Sequence, residues 1–311
     1  MISGARRTPP KLGLALGGGV ARGWAHIGVI RALIRAGIEP DVVCGTSIGA
    51  LVGGCYLAGR LDALEGWARS LSRRRMLGYL DVVVGGNGLL RGKRLAKLMD
   101  EHLHGIRIED LDRDFVAVTG ELATGHEVWL EDGLMTEAIQ ASYALPGVFG
   151  PKHMEGRWLI DGALVNPVPV SVCRAKGARV VIAVTLNADA FGKGNLPERS
   201  FEPDVALHAA EGPVIETRGK ANPQRMMMRQ LFGRDQATLG IGTVLLGSLN
   251  IVMDRLSRSR MAGDPPDILV TPQVGHRSLL DFDKADELIA LGEEALERQL
   301  PAIREVLAVM H

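Results

Sequence analysis

The chain is poor in cysteine, has no excess of either charge, and carries no apolar run at its N-terminus. Cys44, Cys55 and Cys173 are the only cysteines in 311 residues. Their spacing fits no metal site and their neighbours are apolar, so they read as small buried hydrophobes in a reducing compartment rather than a disulfide framework. Lysine and arginine total 36 against 36 acidic residues. The molecule as a whole therefore sets up no field that would attract nucleic acid or an anionic membrane, and any lipid contact must be local. Met1 to Lys11 holds Arg6, Arg7 and two prolines but no hydrophobic core of a signal peptide. The expected compartment is the cytoplasm, with a peripheral position at the inner membrane face left open. There is no internal repeat, and the length suits a single domain with insertions.

What is present is a succession of strand, glycine loop and helix. Lys11 to Leu16 is an apolar strand ending in Gly17-Gly18-Gly19, and a helical pattern runs from about Arg22 to Ala36. Asp41 to Cys44 is a second buried strand, followed by a helix of small and apolar residues from Ile48 to Ala58. Two successive units of this kind predict a parallel sheet. Further strands are predicted at Phe115 to Thr119, Glu127 to Leu130, Trp158 to Ile160 and Arg179 to Thr185, with helices at Leu134 to Ala144 and Val168 to Ala175. The core pattern fades near Leu186. From Asn187 the chain is rich in glycine, proline and charge, an excursion or lid, and Asp283 to Met310 returns to helical spacing around Pro301.

Three segments carry chemistry. Gly45-Thr46-Ser47-Ile48-Gly49 has the G-x-S-x-G pattern, whose glycines let a sharp strand-to-helix turn form and expose a nucleophilic hydroxyl at the positive end of a helix. A plain helix cap at Ser47 is the alternative. Gly17-Gly18-Gly19-Val20-Ala21-Arg22-Gly23 can converge main-chain N–H groups on an anion. A P-loop would need lysine after the last glycine, where Trp24 stands. A dinucleotide loop would need glycine where Arg22 stands, with an acid ending the second strand. Trp158-Leu159-Ile160-Asp161-Gly162-Ala163 delivers an aspartate from a strand into a glycine turn, either an ordinary turn or a base. A base there would need dry surroundings to raise its pKa, with Trp158 and Ile160 as candidate walls. His208 or His276 could complete a Ser-Asp-His order instead, and His26 reads as a packed helix residue.

The three segments, in this order, resemble the signatures of patatin-like phospholipases, most nearly the small bacterial members. The stretches Ala141-Ser142-Tyr143-Ala144-Leu145-Pro146-Gly147-Val148-Phe149 and Asn166-Pro167-Val168-Pro169 are similar to those flanking that family's catalytic aspartate. The resemblance covers about Lys11 to Leu186 and, more weakly, Asp267 to Glu294. It implies an α/β fold of three layers about a mostly parallel sheet, in one domain: catalytic core about 11–186, insertion or lid about 187–263, C-terminal strand and helix about 264–311. It also implies acyl-ester hydrolysis on lipids by a Ser-Asp dyad, with no metal and no cofactor. Carried onto this chain, Ser47 is the nucleophile and Asp161 the base. Gly18, Gly19 and Val20 supply oxyanion donors with Arg22 nearby, and Gly17, Gly23, Gly45, Gly49 and Gly162 are the glycines of the motifs. Val20 stands where the family often has glycine, and Ala163 replaces a second glycine after Asp161.

Ala237 to Met253 is uncharged but short for a membrane span and interrupted by glycines. Core packing, a partner interface, or a lid or membrane-facing helix are the readings, the last with Met226-Met227-Met228 between Arg225 and Arg229. Arg73-Arg74-Arg75 reads most simply as a solvated helix end, with headgroup binding as the alternative. The expected partner is a lipid or acyl-ester substrate, not nucleic acid, with peripheral membrane contact as an accompanying expectation. A non-catalytic lipid-binding module and a nucleotide-dependent enzyme are the other function classes.

Overall fold

Strands buried without a break belong in the interior of a parallel sheet covered on both faces. In the computed structural model, which describes residues 10–72, 99–187, 234–235, 238–239 and 241–309, β1 (Lys11–Leu16) is buried throughout after Lys11 and β2 (Val42–Thr46) throughout its length. Between them a tight 3-10 turn (Val20–Trp24) leads into α1 (Ala25–Arg35). There follow α2 (Ile48–Leu57), α3 (Leu61–Ser70), β3 (Asp114–Glu121), β4 (Glu127–Leu130), α4 (Met135–Ser142), β5 (Lys152–Met154) and β6 (Arg157–Asp161). The chain continues with α5 (Val170–Ala175), β7 (Ala178–Val184), the small hairpin β8 (Arg234–Asp235) and β9 (Thr238–Leu239), α6 (Ile241–Gly263), β10 (Ile268–Val270) and α7 (Ala285–Ala308).

The main sheet has eight strands in the order β10-β7-β1-β2-β3-β6-β5, with β4 also on β3. From β10 to β3 every pairing is parallel, and the pairings of β3 with β4 and β6 and of β5 with β6 are antiparallel. This is the expected α/β architecture, a mostly parallel sheet between helices. From β1 the chain first moves to β2 and β3, then returns to lay β7 on the other side of β1. The strand order therefore switches direction at the β1–β7 seam, where a crevice opens beyond the carboxyl ends of the strands in such sheets. The loop Gly17-Gly18-Gly19 leaves β1 there, and Gly17 N–H donates to the carbonyl of Val184 at the end of β7 (3.0 Å).

Alternation along the strands divides the core. Leu12, Leu14 and Leu16 join the cluster containing Ile27, Ile30, Leu51 and Leu288 from α1, α2 and α7, whereas Ala15, Val42 and Cys44 face Val170, Val172 and Cys173 of α5. All three cysteines are buried and unlinked. The sheet does not stop at Leu186: β10 pairs with β7 through Ile268–Ile182, Leu269–Ala183 and Val270–Val184, and α7 packs along α1. That crossing needs glycine on both helices, since a Cβ on Gly28 or on Gly292 would lie 1.9 Å from the carbonyl oxygen of Ile289 or of Ala25 respectively. The helix predicted at the C-terminus runs through Pro301.

Candidate active site

Sheet register explains how residues 114 positions apart meet. On β3, Val118 pairs with Thr46 of β2, and the next residue, Thr119, pairs with Asp161 of β6. Because β4 pairs with β3 from Ala117 to Gly120, overlapping both, β2 and β6 must share the opposite edge of β3. They approach end to end, one parallel and the other antiparallel. Ser47 leaves the end of β2 and Asp161 the end of β6 at the same point.

There the Ser47 hydroxyl donates to Asp161 Oδ2 at 2.7 Å. Ser47 has φ 58° and ψ −121°, the left-handed backbone of a sharp strand-to-helix turn. Two glycines make the turn sterically feasible: a Cβ on Gly45 would lie 2.5 Å from Ala50 Cα, and one on Gly49 would lie 2.2 Å from the Leu16 carbonyl oxygen. Gly23 packs directly on Ile48, so the glycine loop and the elbow interlock. The Ser47 N–H donates to Ser142 Oγ (2.8 Å), which in turn donates to the Val118 carbonyl (2.7 Å). Thr46 Oγ1 donates to the Asn166 carbonyl (2.9 Å). Ser142 and Asn166 thus come from the two stretches around Asp161, and both brace the nucleophile's turn.

Asp161 is 1% exposed. Its Oδ1 accepts the Ala163 N–H (2.8 Å), and its own N–H donates to the Ala144 carbonyl (3.0 Å). Burial lifts its pKa from 3.8 to about 6, against the opposing pull of the Ala163 N–H and the Ser47 hydroxyl. Gly162 has no room for a side chain, since its Cβ would sit 2.1 Å from the Val118 carbonyl oxygen. The expected dry wall is not Trp158. Alternation puts Trp158 and Ile160 on the sheet face opposite Asp161; Trp158 is 49% exposed and its ring lies against His153.

The glycine loop lies against both groups. A Cβ on Gly18 would be 3.0 Å from Ala163 Cβ and 3.6 Å from Ser47 Cβ. Of the three expected oxyanion donors, Gly18 is engaged, because its N–H donates to the Pro167 carbonyl at 2.9 Å. The N–H groups of Gly19 and Val20 carry no hydrogen bond among the described residues, nor does that of Ile48 at the start of α2. Val20 has φ 51°, a strained backbone for a β-branched residue, at the position where glycine was expected by resemblance. The Arg22 side chain turns away from the site. It is buried, with Nε donating to the Arg277 carbonyl (2.9 Å) and Nη2 to that of Gly275 (3.3 Å), both in the C-terminal segment. Its role is to tie the loop to that segment.

His26 is a packed helix residue with a further contact: buried completely, its Nε2 donates to the Gly17 carbonyl at 2.7 Å and so holds the base of the loop. Desolvation lowers its pKa to about 4, so the ring is neutral. A polar residue one helical turn after a glycine loop was the available signal. His276 lies outside the site, paired with Glu287 (2.8 Å) and half-exposed. His208, Arg73-Arg74-Arg75 and Met226-Met227-Met228 lie outside the described residues. Among the described residues, no three or more His, Cys, Asp or Glu are arranged to hold a metal ion.

Comparison with known proteins bears on the same region. A family model described as patatin-like phospholipase matches residues 14–174, a span that includes the glycine loop, Ser47 and Asp161. An uncharacterized NTE family protein of Mycobacterium tuberculosis is 33% identical over 94% of this chain and 92% of its own length. A patatin-like phospholipase domain-containing protein of Caenorhabditis elegans is 36% identical over 55% of this chain and 13% of its own length. Among solved structures, VipD from Legionella pneumophila aligns with a TM-score of 0.47 and 13% identity, over 94% of this chain and 67% of that one.

Proposed function

Since the chain belongs to the patatin-like phospholipase family, we propose that it is a lipid acyl hydrolase that works through a Ser47-Asp161 dyad and an acyl-enzyme. The observation that carries this reading is the 2.7 Å hydrogen bond from the Ser47 hydroxyl to a buried carboxylate. A carboxylate at its ordinary pKa is too weak a base to take a hydroxyl proton at neutral pH. Raised to about 6, Asp161 remains mostly ionised at pH 7 and its conjugate acid can still release the proton to a leaving group.

In the first half-reaction, Ser47 Oγ bonds to the ester carbonyl carbon while its proton passes to Asp161 Oδ2. The carbonyl electron pair moves onto oxygen, where the Gly19 and Val20 N–H groups, with Ile48 at the positive end of α2, stabilise it. Collapse breaks the bond to the alcohol, which takes the proton from Asp161. In the second, water gives a proton to Asp161 as its oxygen attacks the acyl carbon. The Ser47 Oγ–carbon bond then breaks, Oγ recovers the proton, and the fatty acid leaves.

The test is labelling with a fluorophosphonate probe beside release of fatty acid from a phospholipid panel. Wild type should label and Ser47→Ala should not; Ser47→Ala and Asp161→Asn should both be folded and inactive. Full activity in either variant removes the dyad, and tight lipid binding by an unreactive wild type replaces the hydrolase with a binding protein.

A further inference from the structure

Helix α6 buries polar side chains and exposes apolar ones. Its inward positions Asn250, Asp254 and Ser257 are buried and polar, joined by Met253. Its exposed positions include Val244, Leu245, Ile251 and Val252, each between 40% and 53% accessible. Spacings of one, seven and eight residues from Val244 put these four on one stripe, which Ser248, Ser259 and, eleven residues on, Arg255 share. A surface helix in water shows the reverse arrangement. From Ile241 to Met253 the helix carries no charge. Beyond that, Asp254 is turned inward and held by Arg258 (3.0 Å), and Arg260 reaches Glu127 (3.4 Å). Arg255 is exposed and makes no ion pair among the described residues, so the outer stripe ends in positive charge alone.

The stripe sits beside the active site. Leu245 presses on Gly147, where a Cβ would be 2.6 Å from Leu245 Cδ2, in the loop that follows the Ala144 carbonyl bound by Asp161. The same helix packs on the turn Gly162–Leu164 directly after Asp161. Further apolar surface lies on the sheet face that Met261 of this helix packs against. Leu122 and Trp158, opposed across the end of the β3–β6 ladder, are both about half exposed there. No helix among the described residues is long and apolar enough to cross a membrane.

We propose that the outer face of α6 docks on a bilayer surface containing anionic phospholipid, with Val244, Ile251 and Val252 among the acyl chains and Arg255 at the headgroups. Arginine at the end of an apolar stripe suits anionic headgroups, and the position beside Asp161 suits a substrate drawn from the bilayer. The proposal rests on the lipid-ester reading above and names where that substrate is met.

The test is flotation of the full chain carrying Ser47→Ala, so that vesicles are not degraded, with phosphatidylcholine vesicles with or without phosphatidylglycerol. The parent should float with the anionic vesicles. Ile251→Glu with Val252→Glu should lower the bound fraction by about ten-fold or more, and Val252→Ser, too mild to unfold the helix, should give a smaller loss. Arg255→Glu should remove the preference for phosphatidylglycerol and its salt sensitivity. With Ser47 restored, the double variant should turn over a monomeric short-chain ester within about two-fold of wild type, as expected for exposed positions. A parent that floats with neither vesicle, or a double variant that floats like its parent, overturns the proposal. So does a wild-type dimer that the double variant converts to monomer, since a second copy would then cover the face. Vesicle binding by a wild type that hydrolyses no ester supports docking and defeats only the hydrolase reading.

Discussion

Replacing Asp161 by asparagine should make the protein more stable at pH 8 while abolishing turnover, and the size of the gain follows from burial. Asp161 titrates near 6 in the fold and near 3.8 outside it. At 1.36 kcal/mol per unit, holding the carboxylate ionised in the native state costs about 3 kcal/mol. A folded pKa above the unfolded one means that the favourable contribution is complete below pH 3.8 and is lost as pH rises through 6. Asparagine keeps the shape, can accept from Ala163 N–H through its oxygen, and has no such dependence. The stability of Asp161→Asn relative to wild type should therefore grow by up to about 3 kcal/mol between pH 4 and pH 8. His26 runs the other way: its pKa is lowered to about 4, so its contribution is complete above 6.5 and lost as pH falls through 4, a change of about 3 kcal/mol. In wild type the two slopes nearly cancel between pH 4 and 6.5. In the variant the His26 slope should stand alone, with stability rising with pH. Urea unfolding of both proteins at one-unit intervals from pH 4 to 8 measures this. A difference between them that does not change with pH refutes the raised pKa of the buried carboxylate.

Four other outcomes follow from the same geometry. The value of kcat/KM for a soluble ester should rise with pH through about 6, the range where Asp161 ionises, and the His276→Ala profile should superimpose on it; an inactive, folded His276→Ala would demand a triad. Ser142→Ala strips a partner from the buried Ser47 N–H and the Val118 carbonyl, so chemical denaturation should show a loss of about 2 kcal/mol and kcat should fall; an unchanged kcat would mean the brace does not position the nucleophile. Val20→Gly relieves a left-handed valine at the expense of a floppier unfolded chain, for a net gain of up to about 1 kcal/mol in the same assay, and a clear loss would contradict the strain. Gly49→Ala, which drives a methyl into the Leu16 carbonyl, should yield little folded protein by circular dichroism, whereas Gly66→Ala, with open space around it in α3, should stabilise by about 0.5–1 kcal/mol.

What could be read in the sequence and what could not divide along a physical line. β1 and β4 lie at their expected bounds, and the elbow at Ser47 joins a strand to a helix as its motif requires. These features depend on local patterning. By contrast, the seating of α7 on α1 depends on Gly28 and Gly292, each with no local oddity to mark it, because the contact that excludes a side chain comes from the other end of the chain. Ser142 is similar: a small residue in a helical run, whose importance comes from Ser47 and Val118 meeting above and below it. The commitment of Gly18 to Pro167 likewise appears only when the turn after Asp161 folds back on the loop.

The misplacement of Trp158 is of a different kind, since the information was local. In Trp158-Leu159-Ile160-Asp161 the pleat alone puts Asp161 with Leu159 and against the other two. Leu159 and Asp161 are buried, Trp158 is half-exposed and Ile160 is only partly covered, so the aspartate's desolvation comes from the side of the sheet where α2 and α4 pack. That assignment matters to the chemistry. Substituting Trp158 should leave the pKa of the base alone, while any change that admits water on the α2 side, Gly18 and Ala163 included, should lower it toward 4 and weaken the dyad at neutral pH. A raised carboxylate pKa here is thus a property of how two strand ends close against one edge of β3, and it can be retained or lost without touching either Ser47 or Asp161.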